Sequence, residues 1–202
     1  NSLLILSGSL SQNREKNLTD DQVESAEIIY KSGNDLLTMI NDILDLSKIE
    51  SGKMTMNIEK VKIRSISENI RDYFKHGTSQ KNIDFNILID DNVPSKISTD
   101  QQKTEQIIKN FMSNALKFTS KGSITLHIHN SQEKDNQNIV CFSVIDTGIG
   151  IPENKQLEVF EAFQQADGSI SRKFGGTGLG LSISRELTKL LGGKITLKSE
   201  VG

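Results

Sequence analysis

The sequence predicts an α+β protein in which a helical hairpin precedes a sheet covered by helices on one face. Three observations carry that reading. A heptad-like apolar stripe runs through Val23, Ala26, Tyr30, Gly33, Leu37, Ile40, Leu44 and Ser47; apolar residues alternate with polar ones in 83–89, as in Ile83, Phe85, Ile87 and Ile89; and glycine-rich strings stand after a strand and before a helix. Composition narrows the functional classes. Lys plus Arg number 24 and Asp plus Glu 26, so the formal charge is −2 and the basic excess that phosphate-backbone binding needs is missing. No nucleic-acid partner is expected. The early apolar run 3–6 is too short for a bilayer span or a signal core. Cys141 is the single cysteine and cannot form an internal disulfide, which suits a cytoplasmic protein. Because the chain opens at Asn1 with no turn before that run, it reads as a piece of something longer, and any membrane anchor is expected outside it.

Taken in order, 2–14 reads as a short helix ending in the polar turn 12–17. Thr19 before Asp20 and Asp21 is an N-cap with carboxylates in the first turn, and Ser51-Gly52 is the stop of a second, long helix. The two form an antiparallel hairpin, expected to pair with its own copy as half of a four-helix bundle. The pattern changes after Gly52, placing one unit at 1–53 and another at 54–202. Segment 54–58 alternates as a strand, 63–74 reads as a helix, 83–89 as a strand, 100–117 as a helix, and 122–130 with 138–145 as a hairpin. Beyond it come a short helical piece at 154–163, a helix at 179–191 and a strand at 194–198, giving one mixed sheet and three main helices.

Three strings carry chemistry. In Asp146-Thr-Gly-Ile-Gly-Ile151 the glycines Gly148 and Gly150 allow a tight turn, and Asp146 is a carboxylate at a strand end able to accept from an exocyclic amine, as adenine offers. Phe174-Gly-Gly-Thr-Gly-Leu-Gly-Leu181 opens a helix whose free N–H groups and dipole suit phosphates. No Gly-Lys-Ser/Thr ends it and it does not fit G-x-G-x-x-G, so Walker, Rossmann and protein-kinase readings fall away. In the string 105–119, Asn110, Asn114 and Lys117 share a helical face by spacings of four and three. Amide oxygens suit a hard cation that nucleotide phosphates also hold, and Lys117 adds a point charge.

These strings, in this order and with Val159-Phe-Glu-Ala-Phe163 between them, resemble the asparagine, glycine and phenylalanine boxes of sensor histidine kinases. Lys31-Ser-Gly-Asn-Asp-Leu-Leu and Ile43-Leu-Asp-Leu-Ser-Lys-Ile-Glu-Ser-Gly-Lys53 resemble the second helix of their dimerisation and histidine phosphotransfer domain. The wording of 163–167 is most similar to hybrid kinases, which carry receiver domains further along. The resemblance implies a GHKL α/β sandwich, with ATP and Mg2+ as cofactors. It implies that Asn110 and Asn114 meet the metal and phosphates with Lys117 beside them, and that Asp146, Gly148, Gly150 and Ile151 form the adenine end. Phe160 and Phe163 position a lid, and Gly176, Thr177, Gly178, Leu179 and Gly180 surround the phosphates.

The implied reaction passes the γ-phosphoryl group to a His on the first helix and then to an Asp of a response regulator or receiver domain. In the family that His precedes an Arg-Thr-Pro turn, and this chain starts after such a turn, so the acceptor is expected upstream and no catalytic residue in the chain. His76 reads as a surface residue of a connection. His127 and His129 alternate along a strand with no third ligand nearby in sequence, so no zinc is expected. Gln165 stands where many relatives have a lid Arg, a charge that Arg172 or Lys173 could supply. The alternatives are a nucleotide-binding regulator that transfers nothing, and a GHKL ATPase. The ATPase needs a carboxylate to activate water where Asn110 stands, and an amide is no base.

Overall fold

The computed structural model describes residues 2–132, 138–162 and 178–201. Helix α1 (Ser2–Gln12) turns back into α2 (Asp20–Glu50). The expected Thr19 cap is present and Gln22 completes it: Thr19 Oγ1 accepts from the Gln22 N–H while the Gln22 side chain accepts from the Thr19 N–H. Gly52, at φ +66°, ends the helix in a conformation that costs glycine little. Close packing of the hairpin rests on two glycines. A Cβ on Gly33 would fall 2.6 Å from a Leu4 methyl, and one on Gly8 would fall 3.0 Å from the Tyr30 ring.

Strand β1 (Glu59–Lys62) runs straight into α3 (Ile63–Gln80), which is followed by β2 (Ile83–Ile89). Strand β3 (Lys96–Thr99) leads into α4 (Gln101–Phe118), whose N-cap Asp100 accepts from the Lys103 N–H. The hairpin of β4 (Gly122–Gln132) and β5 (Asn138–Asp146) comes next, then two single 3-10 turns (Glu153–Lys155 and Glu158–Phe160) and α5 (Gly180–Leu190).

The described strands form two sheets rather than the one expected. β2, β4 and β5 make a mixed sheet, parallel between β2 and β4 and antiparallel between β4 and β5, while β1 and β3 make a separate antiparallel ribbon. The expected strand at 54–58 is displaced to 59–62. Met54 and Met56 pack beside α5, and the Asn57 N–H donates to the Asp100 carboxylate, so this segment is engaged outside any ladder. β3 has one half-buried apolar residue, Ile97, too little alternation to read from sequence. The expected helix at 63–74 extends to Gln80, so His76 is an exposed residue of α3 and not of a connection. No ladder forms at 194–198. The backbone just beyond it is tied to the 150–156 loop, with the Ile151 N–H donating to Ser199 Oγ at 2.8 Å and Gln156 donating to the Ser199 carbonyl at 2.9 Å. The helical piece expected at 154–163 is two separate turns where described; its last residue, Phe163, lies outside the described residues.

Two apolar clusters position α4. Ile108, Met112 and Ala115 of α4 join Ile63, Ile66, Ile70 and Phe74 of α3 and Ile124, Leu126 and Ile128 of β4 in the main core. On another side, Ile107 joins a second cluster, in which Leu179, Ile183 and Leu187 meet Leu46, Ile49, Met54, Met56 and Ala162. The side of α4 that meets α5 also carries Asn110, with Asn114 and Lys117 along the same face, all half-buried.

Candidate functional site

The Asn110 carboxamide bridges α4 and the first turn of α5. Its Nδ2 donates to the Gly180 carbonyl and to Ser184 Oγ, each at 3.0 Å. Both partners accept there, so the carbonyl oxygen Oδ1 is held on the other side of the amide, the orientation a hard cation requires. Asn114 lies one turn on and Lys117 a further three residues along. Burial of the Lys117 ammonium holds its pKa below the ordinary lysine value, and its Nζ sits 4.8 Å from the centre of the Phe118 ring.

The C-terminal end of α4 meets the turn after β5. Gly148 presses against it so closely that a Cβ would fall 2.8 Å from the Phe118 carbonyl oxygen and 2.7 Å from Asp146 Oδ1. Asp146 is exposed, and its Oδ1 accepts from the Gly148 N–H at 2.9 Å. Gly150, at φ +70°, lies against the backbone of Glu200, and a Cβ there would clash with the Glu200 carbonyl oxygen. Ile151 is fixed by its bond to Ser199, and Phe160 ends the second 3-10 turn, half-buried.

The structure therefore brings Asn110 together with Gly180, and the Asp146 turn together with the end of the asparagine helix. Gly178 and Leu179 directly precede α5, and Leu179 is fully buried. Gly176, Thr177, Phe163, Gln165, Arg172 and Lys173 lie outside the described residues. Three contributors were not singled out in the sequence. Ser184 has no motif to mark it. Phe118 supplies the carbonyl under Gly148, and Thr119 is fully buried with a hydroxyl that has no partner among the described residues. An apolar-polar step at a helix end was the available signal for the last two.

Glu105 lies on the α3 side of α4. Burial favours its neutral form, but hydrogen bonds from Gln101, Asn69 and Lys109, with the Lys109 charge, hold its pKa below the ordinary value. It braces helices rather than facing the asparagines. His127 and His129 occupy the sheet face opposite the buried Ile124, Leu126 and Ile128. His127 Nε2 is 2.8 Å from Asp90, and His129 Nε2 is 3.0 Å from Ser143 Oγ. The pairing of β4 with β5 sets Cys141 opposite His129, a neighbour that sequence distance concealed. Among the described residues no group of three His, Cys, Asp or Glu is arranged to hold a metal.

Residues 99–202 match the family described as histidine kinase-, DNA gyrase B- and HSP90-like ATPase, and residues 1–52 match the His kinase A phospho-acceptor domain. The chain belongs to the sensor histidine kinases. Hybrid signal transduction histidine kinase B of Dictyostelium discoideum is 41% identical over 185 residues, covering 92% of this chain and 9% of that protein. The histidine-protein kinase BarA of Escherichia coli is 38% identical over 183 residues, covering 91% of this chain and 20% of BarA. The crystal structure of full-length ShkA in complex with AMPPNP matches with a TM-score of 0.76 and 28% identity, covering 100% of this chain and 43% of that one. This histidine kinase chain spans between 9% and 24% of the length of such curated relatives. No described helix is long and apolar enough to cross a membrane.

Proposed function

We propose that this chain is the kinase core of a two-component signalling protein, with a dimerisation module at 1–53 and an ATP-binding catalytic unit at 54–202. The observation that carries the reading is the convergence on α4: Asn110 is tied to Gly180 at the opening of α5, and the Asp146–Gly148 turn is pressed on Phe118 at the C-terminal end of α4. A nucleotide lying along α4 has its adenine at Asp146, an exposed carboxylate able to accept from the exocyclic amine. Its phosphates lie near Asn114, Lys117 and Gly180 at the opening of α5. The AMPPNP bound by ShkA supports a nucleotide here.

The donor set fits Mg2+, since Asn110 turns its amide nitrogen to α5 and keeps an oxygen for a hard cation, and Asn114 offers a second amide. The cation, when bound, neutralises charge on the phosphates. The protein's share of phosphoryl transfer is positioning and electrostatic stabilisation. Lys117 contributes a partly desolvated positive charge, Asp146 orients the base, and the half-buried face of α4 limits water around the phosphates. Asn110 cannot take up a proton, so it is no base toward water. Hydrolysis as the main task is disfavoured on that ground.

The acceptor of the γ-phosphoryl group is a histidine other than those of this chain. His76 is exposed on α3, and His127 and His129 lie on the sheet face turned away from α4. From that histidine the group passes to an Asp of a receiver domain or response regulator in the cytoplasm. The test is incubation of this chain, and of a longer protein extended at its N-terminus to include a histidine ahead of α1, with γ-labelled ATP and Mg2+. The chain alone should take up no label, while the longer protein acquires acid-labile, base-stable phosphate that Asn110→Ala and Lys117→Ala diminish. Stable label on His76, His127 or His129 would overturn the assignment of the acceptor.

A further inference from the structure

We propose that Ser184 is a positioning residue for the Asn110 carboxamide and through it sets the affinity of the site for Mg2+. The inference rests on the reading of Asn110 as a metal-facing residue. Ser184 is fully buried on α5, four residues after Gly180. Its hydroxyl donates to the Gly180 carbonyl at 2.8 Å, so the serine's one proton is committed and a lone pair faces Asn110. Asn110 Nδ2 fills that lone pair and also reaches the Gly180 carbonyl, each at 3.0 Å.

Two acceptors on one side determine the amide twice over. A flipped amide would set Oδ1 against a carbonyl oxygen and a hydroxyl lone pair, losing both bonds. With Gly180 as the single anchor, the broad torsion about the terminal bond of Asn would let the amide rock. With both anchors the torsion is fixed, and Oδ1 is presented in one direction. Mg2+ tolerates little departure from octahedral geometry, so an amide oxygen fixed in advance binds it better than a rocking one. A serine inside a helix that bonds back to the carbonyl four residues earlier can also be a local feature alone. Such a serine would affect stability but not the metal.

The experiment is calorimetric titration of the 202-residue chain with ADP, with Mg2+ and in chelator, using Ser184→Ala, Ser184→Thr and Asn110→Ala. Outer partners of metal ligands are worth roughly ten- to a hundredfold in metal affinity. Ser184→Ala should therefore reduce the Mg2+-dependent gain in ADP affinity about tenfold and leave the Mg2+-free affinity within about twofold, and Ser184→Thr should restore the gain. If thermal melting shows Ser184→Ala unfolded, Ser184→Cys fills the space with a slightly larger and much weaker acceptor and should move the gain in the same direction. An unchanged gain in Ser184→Ala or Ser184→Cys, or equal losses with and without Mg2+, would overturn the positioning role. A gain that survives Asn110→Ala would instead overturn the reading of Asn110 on which it rests.

Discussion

Lys117 shows how one residue's surroundings become a measurable property. Burial lowers its pKa, so between that lowered value and the ordinary 10.5 the folded chain binds fewer protons than the unfolded one. Across that window the cost of burying the charge is relieved, and stability gained, as pH rises. In the proposed site nucleotide affinity should have the opposite slope, because phosphates need the ammonium form. Affinity for ADP should fall as pH rises, beginning below the ordinary lysine range, and Lys117→Arg should flatten the slope, since a guanidinium stays charged. Titrations from about pH 7 to pH 10 check this, and an equal slope in Lys117→Arg would remove Lys117 from the phosphates. Asn110 and Asn114 could be grouped from the sequence because their spacing is local, and Asp146 because it ends a strand ahead of two glycines. Ser184 could not, because its role depends on a contact 74 residues away.

At the scale of elements, α4 is the hub, with one side in the sheet core and the other against α5, where Asn110, Asn114 and Lys117 also lie. Helix α5 is held by Leu179, Ile183 and Leu187, all fully buried, and also by polar ties. Arg185 pairs with Glu161 at 2.9 Å, and hydrogen bonding to Glu161 raises the Arg185 pKa. Ile183→Ala should cost about 2 to 5 kcal/mol, read as a lower denaturant midpoint. Because Ile183 shares its cluster with Leu46 and Ile49 of α2, the loss should extend to the junction with the hairpin. A cost below about 1 kcal/mol would contradict a shared cluster. The long helices and the β4–β5 hairpin were legible because periodicity and caps announce them. The β1–β3 ribbon was not, since each strand has four residues and draws on its partner and flanking helix rather than on an alternating pattern.

Across the whole molecule, a large exposed apolar surface lies on the hairpin. Leu36, Leu37, Ile40, Ile43 and Leu44 of α2 are 40 to 58% exposed, a continuous patch of the kind that marks an interface. A second copy of the hairpin, completing a four-helix bundle, covers it most economically in this reading. Ile40→Glu would set an unpaired charge in that seam and should shift dimer toward monomer in light scattering. An unchanged mass in a protein whose parent is dimeric would contradict a seam there. The central claim, that separate strings of sequence meet on α4 as one adenine nucleotide site, is tested most directly by calorimetry with Mg2+. One ATP should bind each chain with GTP much weaker, and Asp146→Asn or Asn114→Ala should each lose about ten- to a hundredfold, as expected for removing a charge-assisted or metal-facing bond. Equal affinity for ATP and GTP, or full affinity in both variants, would contradict it.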